Sequence, residues 1–245
     1  MLDKKALVNG VQIYPFTSMD ELVDFVQDKK QILMAINAGK IGRVDDEFRL
    51  LIRENIGYAD GVGAQVALKK AGFKDASKIP GCDVWLKIVE KKYKTASFYL
   101  VGGKQEVINE TVAKLKTDFP GINILAHRNG YLKSEEEKEA LINDVASKKP
   151  DVVFVAMGSP TQENLMKRMI AKHPALYQGL GGSFDVYTGH AKRAPQWLMK
   201  LGIEGPYRVI TSFNKNRWER CKSDFKIMAN ILLGKYKIEQ ITDNK

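Results

Sequence analysis

The segment Asp151–Gly158, which reads DVVFVAMG, restricts the possible folds more than any other part of the chain. Its unbroken run of β-branched and apolar residues predicts a strand that is buried on both faces, as in parallel sheets covered by helices. The strand leads through SPTQEN into a helix, and similar strands and helices alternate along most of the sequence with short connections. This order predicts an α/β fold of the Rossmann-like type, in which helices cover both faces of a mostly parallel sheet.

The boundaries of the predicted elements follow from apolar runs and from helix-start signals. Ser18 with Glu21 and Ser134 with Glu137 have the spacing of capping boxes, so a helix is expected after each serine. A further helix is predicted from about Ile41 to Glu54. Strands are predicted at residues 11–16, 31–36, 56–59, 97–101, 122–126, 151–158 and 175–180.

Two of these strands end in loops that suit an anionic ligand. Gly158, Ser159 and Gln162 lie where the strand at residues 151–158 meets a helix N-terminus, and helix N-termini favour anions. The strand at residues 175–180 runs into Gly181 and Gly182, which lack a Cβ and let backbone N–H groups approach a phosphate. In open α/β sheets, ligands collect beyond the carboxyl ends of strands. The residues that follow the glycine pair could hydrogen-bond a sugar or a phosphate: Asp185, Tyr187, His190, Lys192 and Arg193.

The same local pattern has a simpler interpretation, in which a glycine-rich turn precedes a solvated basic loop. Three shorter motifs favour the ligand-binding interpretation: AINAGK at residues 35–40, YADG at 58–61 and VGGKQE at 101–106. Together with AMGSPTQE and GGSFDVYTGHAKRAP, they resemble the bacterial WecG/TagA/CpsF glycosyltransferase family, from about Val8 to about Arg208. The resemblance implies a glycosyltransferase of cell-surface polysaccharide synthesis that uses a UDP-sugar.

Asp60 is the residue to which the resemblance gives the sharpest role. It stands between a short strand and a helical stretch, where an Asp is ordinarily a helix N-cap. A carboxylate at the end of a strand can instead accept a proton from a sugar hydroxyl. The Asp at this position of the family is the proposed catalytic base, so the resemblance implies that role for Asp60.

Further candidates for substrate binding follow other strands or match family positions. Lys78 stands where the family often has an Arg that is thought to meet the diphosphate, and lysine lacks the bidentate geometry of arginine. Arg208 is carried over from the C-terminal segment of the family, with Arg217 and Arg220 as weaker candidates because GIEGPYRV replaces the usual GLEWLYRL. The full set is Asn37, Lys78, Gly102, Gly103, Asn129, Tyr131, Gly158, Ser159, Gln162, Gly181, Gly182, Asp185, His190, Lys192, Arg193 and Arg208.

Positive charge is concentrated near the C-terminus. The net charge is +10, and the segment from Tyr207 to Lys237 holds eight basic and two acidic residues. We therefore predict an α/β glycosyltransferase core at 1–200 and a basic helical appendage at 201–245. Interleaved basic and aromatic residues suit an anionic membrane surface, and the resemblance implies this role. The alternative to membrane binding is a helix that packs on the core and exposes its basic face to solvent.

Cysteine usage and hydropathy bear on the location. Cys82 and Cys221 are the only cysteines and lack metal-binding spacing, which indicates a reducing compartment. The polar N-terminus does not resemble a signal peptide, and no apolar run reaches the roughly 20 residues of a spanning helix. We expect a cytoplasmic protein that is peripheral on the inner face of the bacterial plasma membrane. The sequence is compatible with a monomer and with a homo-oligomer.

The resemblance also implies a reaction. The donor would be UDP-N-acetylmannosaminuronic acid, and the acceptor would be polyprenyl-diphosphate-linked N-acetylglucosamine, with inversion at the transferred carbon. UDP-N-acetylmannosamine or another UDP-hexose is the alternative donor. We expect no metal and no cofactor, because the Asp-x-Asp motif of many metal-dependent glycosyltransferases is missing from the sequence.

Two other classes of protein are weighed against a glycosyltransferase. A dinucleotide-dependent oxidoreductase is disfavoured because GLGGSF lacks the third glycine of G-x-G-x-x-G and lies near the end of the sheet. A nucleic-acid-binding module would spread its basic residues over one face of the whole domain, whereas more than half of this excess charge lies in the tail. We therefore expect no nucleic-acid partner.

Overall fold

A computed structural model describes residues 3–195, 198, 207 and 215–242 of the chain. Its strands are β1 (Lys4–Val8), β2 (Val11–Ile13), β3 (Ile32–Ile36), β4 (Ile56–Ala59), β5 (Ser97–Gly102), β6 (Asn123–Arg128), β7 (Val152–Ala156), β8 (Leu176–Gly179) and β9 (Ile238–Thr242). Its helices are α1 (Met19–Val26), α2 (Ala38–Arg43), α3 (Asp46–Arg53), α4 (Val62–Lys70), α5 (Gly81–Lys92), α6 (Gln105–Asp118), α7 (Glu135–Lys148), α8 (Thr161–Lys172), α9 (Ser183–Tyr187) and α10 (Lys215–Leu232).

The larger sheet is parallel, has six strands and follows the order β4-β3-β8-β7-β5-β6. The central strand β7 pairs with β5 and β8, so that Phe154 lies opposite Leu100 on one side and Gln178 on the other. All residues of β7 are buried, as its continuous apolar run predicts. Helices flank this sheet, and the predicted Rossmann-like α/β class is confirmed.

The described residues form two compact units, each assembled from separate stretches of sequence. One unit comprises the described residues among 1–21, 35–80 and 193–245, and it includes a small antiparallel sheet of order β2-β1-β9. The other comprises residues 22–34 and 81–192, and it includes β5 to β8 with helices α5 to α9. We call them the first and second units below.

Aromatic packing around Trp85 forms the core of the second unit. The Trp85 side chain on α5 is fully buried. Its ring makes edge contacts with Phe154 of β7 and with Phe184 and Tyr187 of α9, at centroid distances of 5.6, 5.5 and 5.2 Å. These contacts hold α9 against α5 and β7, and α9 is the helix that follows the predicted ligand loop at Gly181–Gly182.

The C-terminal helix α10 packs on helices of the first unit. Ile227 is buried, and a Cβ at Gly42 of α2 would lie only 2.5 Å from Ile227 Cγ1, so a glycine permits this close approach. Arg43 and Asp224 form an ion pair at 2.7 Å. After α10, β9 pairs antiparallel with β1, with Lys4 opposite Thr242. Neither β1 nor β9 was among the predicted strands.

The structure also divides one predicted helix and adds another. The helix predicted from Ile41 to Glu54 is interrupted at Val44, which is extended, and α3 starts afresh after Asp45. The Asp45 carboxylate accepts a hydrogen bond from the Phe48 N–H at 2.8 Å, so it caps α3 instead of continuing α2. The short helix α9 was not among the predicted helices.

Candidate active site

The order of strands in the second unit defines a crevice at the carboxyl ends of β5 and β7. From β5 the chain passes through α6 to β6, the neighbour of β5 at one end of the strand order. From β7 it passes through α8 to β8, the neighbour of β7 in the opposite direction along the sheet. Since β5 and β7 are neighbours and such crossovers are right-handed, α6 and α8 lie on opposite faces of the sheet. The chain therefore leaves a gap beyond the carboxyl ends of β5 and β7, which is the topological switch point where open α/β sheets bind ligands.

The loops after β5 and β6 meet the end of β7 through backbone contacts. Gly102 has a φ of +136°, and a Cβ at this position would lie 2.3 Å from the carbonyl oxygen of Ala156, so no other residue fits here. The Gly103 N–H donates to Ala156 O at 3.2 Å, and the Gly130 N–H donates to Gly103 O at 2.9 Å. The turn that contains Asn129 and Tyr131 is thus packed onto the Gly102–Gly103 loop.

Gln162 connects the loops that follow β7 and β8. Its side chain, in the first turn of α8, is only 4% exposed. Its Oε1 accepts hydrogen bonds from the Gly158 N–H at 3.1 Å and the Gly181 N–H at 2.9 Å, while its Nε2 donates to Glu163 at 3.2 Å. Gln162 therefore braces both glycine loops from within, a role that its position in the sequence did not indicate.

These hydrogen bonds limit the predicted binding of a phosphate by the backbone amides of the glycine loops. The N–H groups of Gly103, Gly158 and Gly181 all donate to groups within the protein. A Cβ at Gly158, Gly181 or Gly182 would meet no described atom within 4 Å, so the space in front of these residues is open. A ligand can approach this backbone closely, but it would have to compete with Gln162 for two of the amides.

The segment after the glycine pair is docked onto α6. The Tyr187 hydroxyl donates to Asp118 at 2.6 Å, and His190 Nε2 lies 2.7 Å from the Glu110 carboxylate. Burial, together with the hydrogen bond to Asp118, raises the pKa of the Tyr187 hydroxyl above its ordinary value. Asp118 and Glu110 were missed from the sequence because only the fold brings α6 beside this segment.

The other predicted residues of this segment differ in exposure. Asp185 is half-buried on α9, and its carbonyl oxygen accepts the Ala191 N–H at 2.9 Å. Lys192 is exposed and Arg193 is half-buried. On the neighbouring loop, Ser159 is exposed. Since Glu110 already engages His190, the side chains best placed by exposure to meet a ligand are those of Lys192 and Ser159.

Asn37, Asp60 and Lys78 are brought together in the first unit. The Asp60 N–H donates to the carbonyl oxygen of Ile36, the residue before Asn37, at 2.8 Å. On the other side, the Ile79 N–H donates to the carbonyl oxygen of Ala59 at 2.8 Å, which places Lys78 beside the end of β4. Backbone hydrogen bonds thus hold the chain next to Asn37 and the chain next to Lys78 against the end of β4, where Asp60 lies.

The helix caps distinguish Asn37 from Asp60. Asn37 is the N-cap of α2, and its Oδ1 accepts the Lys40 N–H at 3.2 Å. The N-cap of α4 is Gly61, with a φ of +113°, so Asp60 lies one residue before the N-cap position. Asp60 is half-buried.

Some predictions fall outside the described part of the chain. Arg208 lies outside the described residues, and the side chains of Arg217 and Arg220, on α10, are likewise not described. Among the residues that the structure describes, no group of three or more His, Cys, Asp and Glu side chains is arranged to hold a metal ion.

The strand order and the flanking helices define an α/β fold of the doubly wound type, a class in which ligands bind beyond the carboxyl ends of the parallel strands. The family can be stated as well. Residues 7–240 match the model of the glycosyl transferase WecG/TagA/CpsF family, and the chain belongs to this family. It is a glycosyltransferase, and its family acts in cell-surface polysaccharide synthesis.

Proposed function

We propose that this glycosyltransferase moves N-acetylmannosaminuronic acid from UDP to polyprenyl-diphosphate-linked N-acetylglucosamine. The observation that carries the proposal is the match of nearly the whole chain to the family, together with the family-like motifs at the switch-point loops. UDP-N-acetylmannosamine, or another UDP-hexose, is the alternative donor. The extra carboxylate of a uronic acid calls for one more cation, and Lys192 and Arg193 follow the open glycine loop.

The proposed reaction is a direct displacement with inversion, independent of metal. The acceptor hydroxyl attacks the anomeric carbon, the bond from this carbon to the UDP oxygen breaks, and Asp60 takes the hydroxyl proton. Lys78, Lys192, Arg193 and Arg208 are the candidates that stabilise the negative charge on the departing UDP. The position of Asp60 supports this role, because it directly follows the carboxyl end of β4, where its N–H donates to the carbonyl oxygen of Ile36 next to Asn37.

The tail helix α10 is proposed to hold the enzyme at an anionic membrane. One side of the helix carries Ile227 and Ile231, which are buried, so the core-packed alternative accounts for that side. The exposed apolar residues are Trp218, Phe225, Leu232 and Leu233, and Lys222 and Lys226 are exposed as well. None of the helices among the described residues has the length and apolar character needed to cross a bilayer. Exposed aromatic and basic residues together support interfacial binding.

The proposed function predicts acceptor-dependent release of UDP. Purified protein is incubated with UDP-N-acetylmannosaminuronic acid or UDP-N-acetylmannosamine, with and without a short-chain lipid-diphosphate-linked N-acetylglucosamine, in the presence of EDTA. We expect UDP release only with the acceptor, undiminished by EDTA, and with a higher kcat/KM for the uronic acid donor. Preference for the neutral donor would replace the proposed substrate with the alternative. Loss of activity in EDTA that Mg²⁺ restores would overturn the metal-independent mechanism.

A further inference from the structure

The chain turns back after α9 and runs beside the helix that it has just left. Residues 188–192, which we call the return segment, are fixed there because the Ala191 N–H donates to the carbonyl oxygen of Asp185 at 2.9 Å. Asp185 comes only three residues after Gly182, where an added Cβ would meet no described atom within 4 Å. The exposed Lys192 at the end of the return segment is therefore held near the open glycine loop.

Two side-chain contacts join α9 and the return segment to α6. The Tyr187 hydroxyl donates to Asp118 at 2.6 Å, and His190 Nε2 lies 2.7 Å from a Glu110 oxygen. A carboxylate only accepts hydrogen bonds, so the proton of the second contact lies on Nε2. The two carboxylates are eight residues apart on one helix, which separates them by about 12 Å along its axis.

The contact with Glu110 is the one nearer to the crevice. Helix α6 starts at Gln105, just after the glycine loop of β5, and leads away towards the amino end of β6. Glu110 lies five residues, or about 7.5 Å, from this start, whereas the other carboxylate is the last residue of the helix. Two residues of extended chain span at most about 7 Å, so the anchoring of His190 confines the backbone of Lys192.

Electrostatic repulsion alone would make Glu110 unfavourable for an anionic ligand at the crevice. Like charges repel one another over a Debye length of about 8 Å at physiological salt, and Glu110 lies about as far as this from the start of α6. A carboxylate that holds a lysine beside the ligand has the opposite effect, because the lysine then loses less conformational freedom on binding. The sign of the change in affinity when Glu110 is removed distinguishes the two effects.

We propose that Glu110 is a positioning residue of the transferase, which acts through His190 to hold Lys192 where it meets the diphosphate of the donor. The inference rests on the proposed function, since it assumes a nucleoside diphosphate donor at this crevice. Glu110 itself needs no contact with the ligand. It fixes the return segment before the donor binds, and preorganisation of this kind raises affinity. The contact between Tyr187 and Asp118 anchors α9 and is assigned no part in donor binding.

The test measures the affinity for UDP by titration calorimetry. We expect Glu110→Ala and His190→Ala each to weaken UDP binding by about 3- to 5-fold, the upper end for an exposed ion pair. Glu110→Gln keeps an acceptor oxygen for His190 and should bind UDP like the wild type. Glu106→Ala is the matched control, because it removes an exposed carboxylate of α6 that pairs with Lys104 at 3.8 Å. This control should bind UDP at least as tightly as the wild type.

A double-mutant cycle tests whether Glu110 acts through Lys192. Lys192→Ala should weaken UDP binding by about 10-fold, and adding Glu110→Ala should then have no further effect. Additive effects of the two substitutions would overturn the positioning role, as would tighter or unchanged UDP binding by Glu110→Ala alone. A wild type that does not bind UDP would instead overturn the proposed function, and the role of Glu110 with it.

Tyr187→Phe separates the positioning role from a general loosening of the segment. The substitution removes the hydroxyl that donates to Asp118 and keeps the ring that packs on Trp85. We expect a lower midpoint of denaturant unfolding and an unchanged affinity for UDP. Equal losses of UDP affinity in Tyr187→Phe and Glu110→Ala would contradict the specific role of Glu110.

Discussion

Replacing Asp60 by asparagine is expected to lower kcat by about 100- to 10,000-fold, because the acceptor hydroxyl then loses its proton acceptor in the transition state. Asparagine keeps the shape of the side chain and can still accept a hydrogen bond, but it cannot take up a proton at neutral pH. The measurement is acceptor-dependent UDP release at saturating substrates. The affinity for UDP, measured by calorimetry, should change little, since the nucleotide does not need the base to bind.

The control for Asp60→Asn is a carboxylate of the same unit that lies away from the candidate site. Asp46 is almost fully exposed on α3 and pairs with Arg49 at 2.7 Å, so Asp46→Asn should keep wild-type kcat. Far-ultraviolet circular dichroism establishes that both variants are folded. An Asp60→Asn enzyme that retains more than about a tenth of wild-type kcat would remove Asp60 as the base, because general bases contribute at least about 100-fold.

Replacing Gln162 by leucine is expected to lower the free energy of unfolding by about 2–4 kcal/mol. Leucine fills a similar volume but accepts no hydrogen bond, so the N–H groups of Gly158 and Gly181 each lose their partner. Because both loops border the crevice, UDP binding should weaken in the same variant. The stability is measured by denaturant unfolding, and the affinity by calorimetry below the onset of unfolding.

Asn164 supplies a matched control on the same helix. It is exposed one turn into α8, and Asn164→Ala should change stability by less than about 0.5 kcal/mol and leave UDP affinity intact. If Gln162→Leu is as stable as the wild type, the brace between the two glycine loops is energetically unimportant. If it is destabilised but binds UDP normally, the brace serves the fold and not the ligand site.

Much of the fold could be predicted because local signals and long-range packing agree. The apolar run at Val152–Ala156 forms a strand that is buried on both faces, as its composition indicates. Ser134 forms the predicted cap, accepting the Glu137 N–H at 3.3 Å. Where a capping residue competes with a continuous helical pattern, as Asp45 does, the apolar periodicity predicts one helix and the structure has two.

The parts that could not be predicted depend on contacts between residues far apart in sequence. β1 pairs on one side with the adjacent β2 and on the other with β9, whose sequence lies more than two hundred residues later. The candidate site shows the same limit. Glycine patterns pointed to the loops after β7 and β8, but the hydrogen bonds between Gln162 and both loops and the contact of Tyr187 with Asp118 arise only when the chain is folded.

A direct displacement at the anomeric carbon, with Asp60 as the base, inverts the configuration of the transferred sugar, so the product's anomeric configuration is the decisive measurement. The lipid-linked disaccharide formed by the wild-type enzyme is isolated, and the one-bond carbon–proton coupling at the transferred anomeric carbon is measured by NMR and compared with that of the donor. We expect the product to have the anomeric configuration opposite to that of the donor. Retention of the donor configuration would exclude a single in-line displacement and would contradict the mechanism.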